Sequence, residues 1–297
     1  MPELPEVETI VRMLAPQVEG KRIQIAELRL GRMLLGSDPA NFAARLAGQK
    51  ALRVLRRGKY IVIELDRLSL VIHLGMTGQL TFSPVNPRED ETFIRTVTGL
   101  QKAIGVHPVD KHTHLILHLK GGERVLFRDP RTFGKLFLVE GHTWAEHPRL
   151  SSLGDEPLTL QIKPFLKRSF PKTSNRSIKA LLLDQTFLAG VGNIYADEAL
   201  FRSGIHPALT VRKVGEIQRQ NLIKAVKEVL LKGIKNSGTT FSDYRKPDGT
   251  QGSNYDRLQV YGRGGQPCRK CRSTLVKSVV AQRGTVHCPK CQDKKGK

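Results

Sequence analysis

Residues 175–204 read NRSIKALLLDQTFLAGVGNIYADEALFRSG. Ile178, Leu181, Leu182 and Gln185 recur at helical spacing, which predicts a helix across 175–190 ending at Gly190. Gly190-Val191-Gly192 interrupts the pattern. Asn193 then opens a second helix over 193–204, with Gly204 as its stop. Glycines before a helix start let backbone N–H groups approach an anion. The pair therefore reads as a phosphate clamp or as an ordinary capped αα-hairpin. A longer amphipathic helix is expected over 214–238, and a polar, Gly-rich stretch follows over 238–254.

Toward the N-terminus the period changes. KYIVIEL (59–65), LSLVIHLG (68–75), THLILHLK (113–120), RVLF (124–127) and GKLFLVEG (134–141) are short alternating or apolar runs. Such strands, separated by Gly and polar breaks, predict a sandwich or barrel. Residues 83–112 carry three prolines, mixed charge and no firm period, and are expected to be a long, mobile insertion. His112, His114 and His118 read as strand positions rather than metal ligands.

The 297 residues carry 49 Lys and Arg against 27 Asp and Glu, a net charge of +22. So large an excess, spread along the chain, points to a polyanionic partner, with nucleic acid ahead of an acidic membrane surface or a ribosomal setting. No run of about 18 apolar residues suggests a membrane span. The N-terminus has acids where a secretory signal needs bases. A reducing, cytoplasmic setting is therefore expected, in which cysteines serve metals more readily than disulfides. Cys268-Arg-Lys-Cys271 and Cys288-Pro-Lys-Cys291, with sixteen residues between them, form two CxxC turns. Together they make a tetrahedral Cys₄ site suited to one structural Zn²⁺, closed to catalytic water. The intervening hairpin is strongly basic, and Arg283 near its turn is well placed to fork onto a phosphate.

The first residues, MPELPEVETI, are unusual. Pro5 suits the first turn of a helix, and Val7, Ile10, Val11 and Leu14 form its buried stripe. Pro2 and Glu3 precede that helix and need another explanation. Removal of Met1 before a small residue would expose the secondary amine of Pro2. An α-amino group titrates near 7.7–8.0, so about a tenth of it is nucleophilic at neutral pH. Attack on an aldehyde-level carbon gives an iminium ion, an electron sink that promotes elimination. Glu3 stands close enough to move a proton.

PELPEVET, Lys59 in RGKYIVIEL, HLGMTG (73–78), RDPRTFGKL (128–136), GVGNIYADEALF (190–201), VYGRGGQPC (260–268) and RGTVHCPKCQ (283–292) together resemble bacterial formamidopyrimidine-DNA glycosylases. The resemblance implies an α+β fold with three parts. These are an N-terminal β-sandwich catalytic domain with flanking helices (1–150), a helix–two-turns–helix domain (151–265) and a Cys₄ zinc-finger hairpin (266–297). It implies a monomeric, nucleoid-associated base-excision-repair enzyme. Such an enzyme flips oxidised purines such as 8-oxoguanine and formamidopyrimidines out of double-stranded DNA. It removes them through a Schiff base and nicks the strand by β,δ-elimination.

By the same resemblance Pro2 is the nucleophile, Glu3 the proton donor and Glu6 a supporting acid. Lys59 and Arg283 are phosphate contacts and proton donors for the eliminations. Met76, Arg131 and Phe133 would fill the hole left by the flipped base, where a thioether, a guanidinium and a ring each suit an irregular gap. His73, Lys179 and Asn193 are expected to contact DNA, and residues 239–252 to form a mobile loop over the base. One alternative is the endonuclease VIII branch, specific for oxidised pyrimidines, which typically begins PEGPE. The other is a non-catalytic zinc-finger protein that recognises damage without excising it.

Overall fold

The computed structural model describes residues 1–84 and 109–293 and, by backbone, the strands 93–96 and 99–102. The chain divides into two compact units. One comprises Met1–Ser151 with Asn236–Ser253, the other Ser152–Lys235 with Asn254–Lys297. Residues 236–253, assigned from sequence to the helical part, thus cluster with the N-terminal unit. Their backbone and side chains bond to Gln79, to Phe82 and to the first helix.

The first unit opens with α1 (Leu4–Val18), whose first turn holds Pro5. Val7, Ile10, Leu14 and Val18 are buried on one face of this helix. β1 (Ile23–Leu28), α2 (Pro39–Leu46), β2 (Ala51–Arg57), β3 (Tyr60–Leu65), β4 (Leu68–His73) and β5 (Gln79–Ser83) follow. β6 (Phe93–Thr96) and β7 (Gly99–Lys102) pair as an antiparallel hairpin inside the stretch expected to be an insertion. The mobility expected of that stretch falls largely outside the described residues. β8 (Thr113–Leu119), β9 (Arg124–Arg128), β10 (Lys135–Glu140) and the short α3 (Pro148–Ser151) complete the unit.

Two four-stranded antiparallel sheets, ordered β1-β8-β9-β5 and β10-β4-β3-β2, share one core. Leu117 and Phe127 from one sheet, Ile63 and Leu70 from the other, and Ile10 from α1 all belong to it. β1 and β2 lack the continuous apolar runs that marked the other strands, because an irregularity in each, between Ile23 and Ile25 and between Ala51 and Arg53, leaves Ile23 and Ala26, and Ala51 and Val54, as their buried positions.

In the second unit, α4 (Ile162–Ser169), α5 (Ile178–Leu183), α6 (Asn193–Ser203) and α7 (Glu216–Lys235) precede the hairpin β11 (Val276–Val280) and β12 (Arg283–His287). The helix predicted across 175–190 is cut to α5. Asp184 ends it by accepting the Thr186 N–H at 3.0 Å and the Thr186 hydroxyl at 2.7 Å. Such a side-chain turn competes with continued helix. α6 ends at Gly204 in the left-handed conformation, φ 70°. Gly233 of α7 lies so close to the Tyr195 hydroxyl that a Cβ would come within 2.5 Å of it.

Candidate functional site

Pro2 is buried, as are Glu3 and Glu6 at 3 % and 1 % exposure. Glu3 occupies the cap position of α1, so it belongs to the helix start rather than lying outside it. Glu6 Oε2 accepts the Glu3 N–H at 2.8 Å, and its Oε1 accepts the Thr239 N–H at 2.7 Å. One carboxylate therefore joins the turn that carries Pro2 and Glu3 to the root of 236–253. Desolvating a charge is costly, and these N–H donors offset the cost.

The same root is closed by Ser253 N–H to Asn236 O at 3.0 Å and by Tyr244, whose hydroxyl donates to Ser237 O at 3.2 Å. Burial, and then the Glu6 charge, push the Tyr244 phenol well above its usual range. Gln79 of β5 donates to Asp243 O at 2.6 Å, and Phe82 N–H to Pro247 O at 3.0 Å. Within the expected lesion loop, Phe241, Ser242 and Asp243 are exposed at the tip.

Lys59 stands in the turn between β2 and β3, after Gly58 at φ 56°, and is buried to 7 % exposure rather than standing as a solvated strand charge. His73 ends β4 opposite Tyr60, with ring centroids 4.8 Å apart. Its Nδ1 accepts the Gly75 N–H at 3.2 Å. Burial, followed by the charges of Lys59 and Arg149, pulls His73 down to about 4. The ring is thus neutral at physiological pH. With Nδ1 accepting, the proton sits on Nε2, which makes His73 an uncharged donor suited to a phosphate oxygen.

Met76 and Phe133 are 37 % and 51 % exposed on two turns, 74–78 and 129–134. Arg131 is also exposed, its guanidinium 5.0 Å from the Phe133 ring centroid. Core packing does not account for any of the three.

The other cationic residues lie in the second unit. Arg283 is exposed where β12 begins, directly after the two-residue turn Ala281–Gln282. Asn193 is the first residue of α6; the cap position falls on Gly192, one residue earlier than expected. Asn193 Nδ2 donates one of its two amide hydrogens to Gly284 O at 2.9 Å. Lys179 departs from its expected role. It is fully buried, bonded to Asp197 at 2.5 Å, to Thr285 Oγ1 at 2.7 Å and to Gly284 O at 3.2 Å. A buried ammonium needs such partners. Lys179 therefore holds residues 283–285, the start of β12, instead of facing solvent. Burial pushes the Asp197 carboxyl upward, against the pull of Lys179 and of the Val286 N–H.

The Sγ atoms of Cys268, Cys271, Cys288 and Cys291 all lie within 4.8 Å of one another. Lys270 N–H points at Cys268 Sγ and Cys291 N–H at Cys288 Sγ, each at 3.4 Å. Four converging thiolates with N–H donors to sulfur are a zinc donor set, and the four cysteines hold one structural Zn²⁺. Gln292 ties the second knuckle to the end of α6, bonding Cys288 N–H at 2.9 Å and Ile205 O at 2.9 Å.

Several residues that organise these groups escaped the sequence reading. Asp129 and Asp197 are buried acids inside motifs that were recognised for their neighbours. Glu198 accepts the N–H groups of Gln259, Val260 and Tyr261, between 2.8 and 3.0 Å. The paired acids in ADEAL were the available signal, since two successive carboxylates in an apolar helix require partners.

Residues 1–136 match the family described as Formamidopyrimidine-DNA glycosylase N-terminal domain, and residues 153–245 its H2TH domain. Residues 265–294 match the zinc finger found in FPG and IleRS. A formamidopyrimidine-DNA glycosylase of Symbiobacterium thermophilum is 40 % identical over 98 % of this chain and 89 % of its own. One from a Roseiflexus species is 39 % identical over 98 % and 100 %. The Lactococcus lactis Fpg bound to Fapy-dG-containing DNA superposes with a TM-score of 0.83 at 31 % identity, covering 98 % of this chain and 100 % of that one. The same enzyme with abasic-site DNA gives 0.84 at 31 %, with the same coverage.

Proposed function

From the premise that the chain belongs to the formamidopyrimidine-DNA glycosylase family, we propose that it excises oxidised purines from duplex DNA and then cuts the strand at the sugar left behind. At the coarser level it is a DNA glycosylase of DNA repair, with DNA as its partner and zinc as a structural ion. The observation that carries the finer reading is the burial of Pro2 beside Glu3 at a helix start held by the Glu6 carboxylate.

Once Met1, itself 52 % exposed, is removed, the Pro2 nitrogen bonds to C1′ of the damaged nucleotide. The glycosidic bond breaks, the base leaves with the bonding pair and takes up a proton in place of the one the amine loses, and Glu3 supplies a second proton to the ring oxygen as the sugar opens to the iminium. Loss of a C2′ proton expels the 3′ phosphate, and a second elimination expels the 5′ phosphate. Lys59 and Arg283 serve as phosphate contacts and proton donors in these steps. Met76, Arg131 and Phe133 occupy the gap in the duplex. Asn193 and neutral His73 bind phosphates. The zinc supplies no step; it folds the turn that carries Arg283. The cytoplasmic, nucleoid-associated monomer expected from the sequence is part of the same proposal.

The test is borohydride trapping on duplex DNA carrying 8-oxoguanine opposite cytosine, with the adduct located by mass spectrometry. Wild-type protein should be trapped on Pro2. Pro2→Gly should bind the lesion and leave little or no trapped adduct. Trapping of Pro2→Gly at the wild-type rate would remove Pro2 from its role. Tight lesion binding by wild-type protein without any adduct would favour the recognition-only alternative. Oxidised pyrimidines belong in the same substrate panel, because the Lactococcus lactis enzyme has also been solved with an oxidised-pyrimidine-containing DNA.

A further inference from the structure

Asp129 follows β9, is fully buried, and has no part in the chemistry above. One carboxylate oxygen accepts the Thr77 hydroxyl at 2.5 Å and the Arg131 N–H at 3.3 Å. The other accepts the Gly134 N–H at 2.8 Å. Its backbone carbonyl accepts the Thr132 N–H at 3.2 Å and meets His114 Nε2 at 2.9 Å. Thr77 Oγ1 also accepts the Arg131 N–H at 3.3 Å. A single buried charge thus binds the 129–134 turn to itself and to the 74–78 turn.

The two turns also touch backbone to backbone. Gly75, at φ +62°, lies so near residues 133 and 134 that a Cβ would stand 2.6 Å from Phe133 C and Gly134 N. Thr132 is held at φ 58°, a strained position for a residue with a branched side chain. Out of this rigid base project Met76, Arg131 and Phe133. An ordinary surface turn has no need of a buried, fully bonded carboxylate, and a buried polar network fixes one geometry when every member is satisfied. A wedge that replaces a flipped base must be stiff, because unstacking costs a few kcal/mol that a yielding side chain would not recover.

We propose that Asp129, acting through Thr77, is the positioning residue that sets Met76, Arg131 and Phe133 as one wedge and so governs eversion of the damaged base. The proposal rests on the void-filling reading of those three residues. The test uses the full-length, zinc-loaded protein as Asp129→Asn and Thr77→Val, with Met76→Ala as reference. Base eversion is followed by stopped-flow fluorescence of 2-aminopurine placed beside the lesion in duplex DNA. Cleavage of a preformed abasic site is followed separately in a single-stranded oligonucleotide, which has no partner base to orphan.

Asp129→Asn and Thr77→Val should slow eversion and duplex excision by about tenfold or more, the scale expected when a positioned group is displaced. Both should leave single-strand cleavage within about twofold of wild type, in line with intact catalytic groups. Equal losses on both substrates would reduce Asp129 to a folding residue and overturn the proposal. So would wild-type eversion in both variants while Met76→Ala is slow. Wild-type eversion in Met76→Ala would instead remove the wedge reading itself, and the proposal with it.

Discussion

His73 shows how much a residue's neighbours decide about its chemistry. Free histidine titrates near 6.5, and here burial, Lys59 and Arg149 lower that to about 4. The folded form therefore binds fewer protons than the unfolded form between those values. Its contribution to stability is present above pH 6.5 and is lost as pH falls through about 4. An NMR titration of the His73 ring should show it essentially neutral between pH 6 and 8, with the proton on Nε2. A midpoint above 6 would contradict the neutral-donor role. Neither the pull of Lys59 nor that of Arg149 was visible in the spacing of HLGMTG. Pro2 and Glu3 could be proposed from sequence alone, because a secondary amine beside an acid has a chemistry that needs no fold to be stated. What Glu6 does was not legible, since its second oxygen bonds a residue 233 positions away.

At the scale of elements, the zinc finger is a hairpin with little core of its own. Val260, Leu275 and Val286 pack beside Cys268 and Cys288, while Val276 and Val279 stay 40 % and 75 % exposed. Metal binding must supply most of its folding free energy. Cys288→Ser should therefore lose zinc and weaken DNA binding. The fluorescence of Trp144, which donates to Glu64 at 2.7 Å in the first unit, should stay unchanged. Full zinc retention by elemental analysis would refute the Cys₄ assignment.

The β11–β12 turn places Ala281 and Gln282 at φ 53° and 57°, conformations that suit Gly or Asn. Gln282→Gly should stabilise the hairpin by up to about 1 kcal/mol, read as a higher denaturant midpoint. A lower midpoint would mean that the strain is relieved by something other than the backbone. The finger and both helices of the αα-hairpin could be read in advance because their signals are local. The shortening of α5 could not, because the apolar period runs on past Asp184 and only the fold shows its carboxylate turning onto Thr186.

For the whole molecule, a net charge of +22 makes DNA affinity depend steeply on salt. Each cation on a phosphate should contribute about 0.9 to the slope of log K against log salt. Arg283→Ala should reduce that slope by about 0.9 and weaken binding to damaged and undamaged duplexes alike. An unchanged slope would show that Arg283 meets no phosphate. Lys179, buried on Asp197, should act on affinity through the position of Arg283 and not as a counted charge.

By itself the sequence determined that this is a basic, β-then-helical chain with a Cys₄ module, and it put Pro2 and Glu3 forward as candidate chemistry. Charge, period and the CxxC spacing are properties of neighbouring residues or of sums over the chain. Only the tertiary structure decided that Lys179 is an internal strut, that 236–253 belongs with the N-terminal unit, and that Asp129 anchors the exposed Met76, Arg131 and Phe133. Each of those is settled by which polar group from elsewhere in the chain meets a buried charged side chain, and such a pairing exists only once the chain has folded.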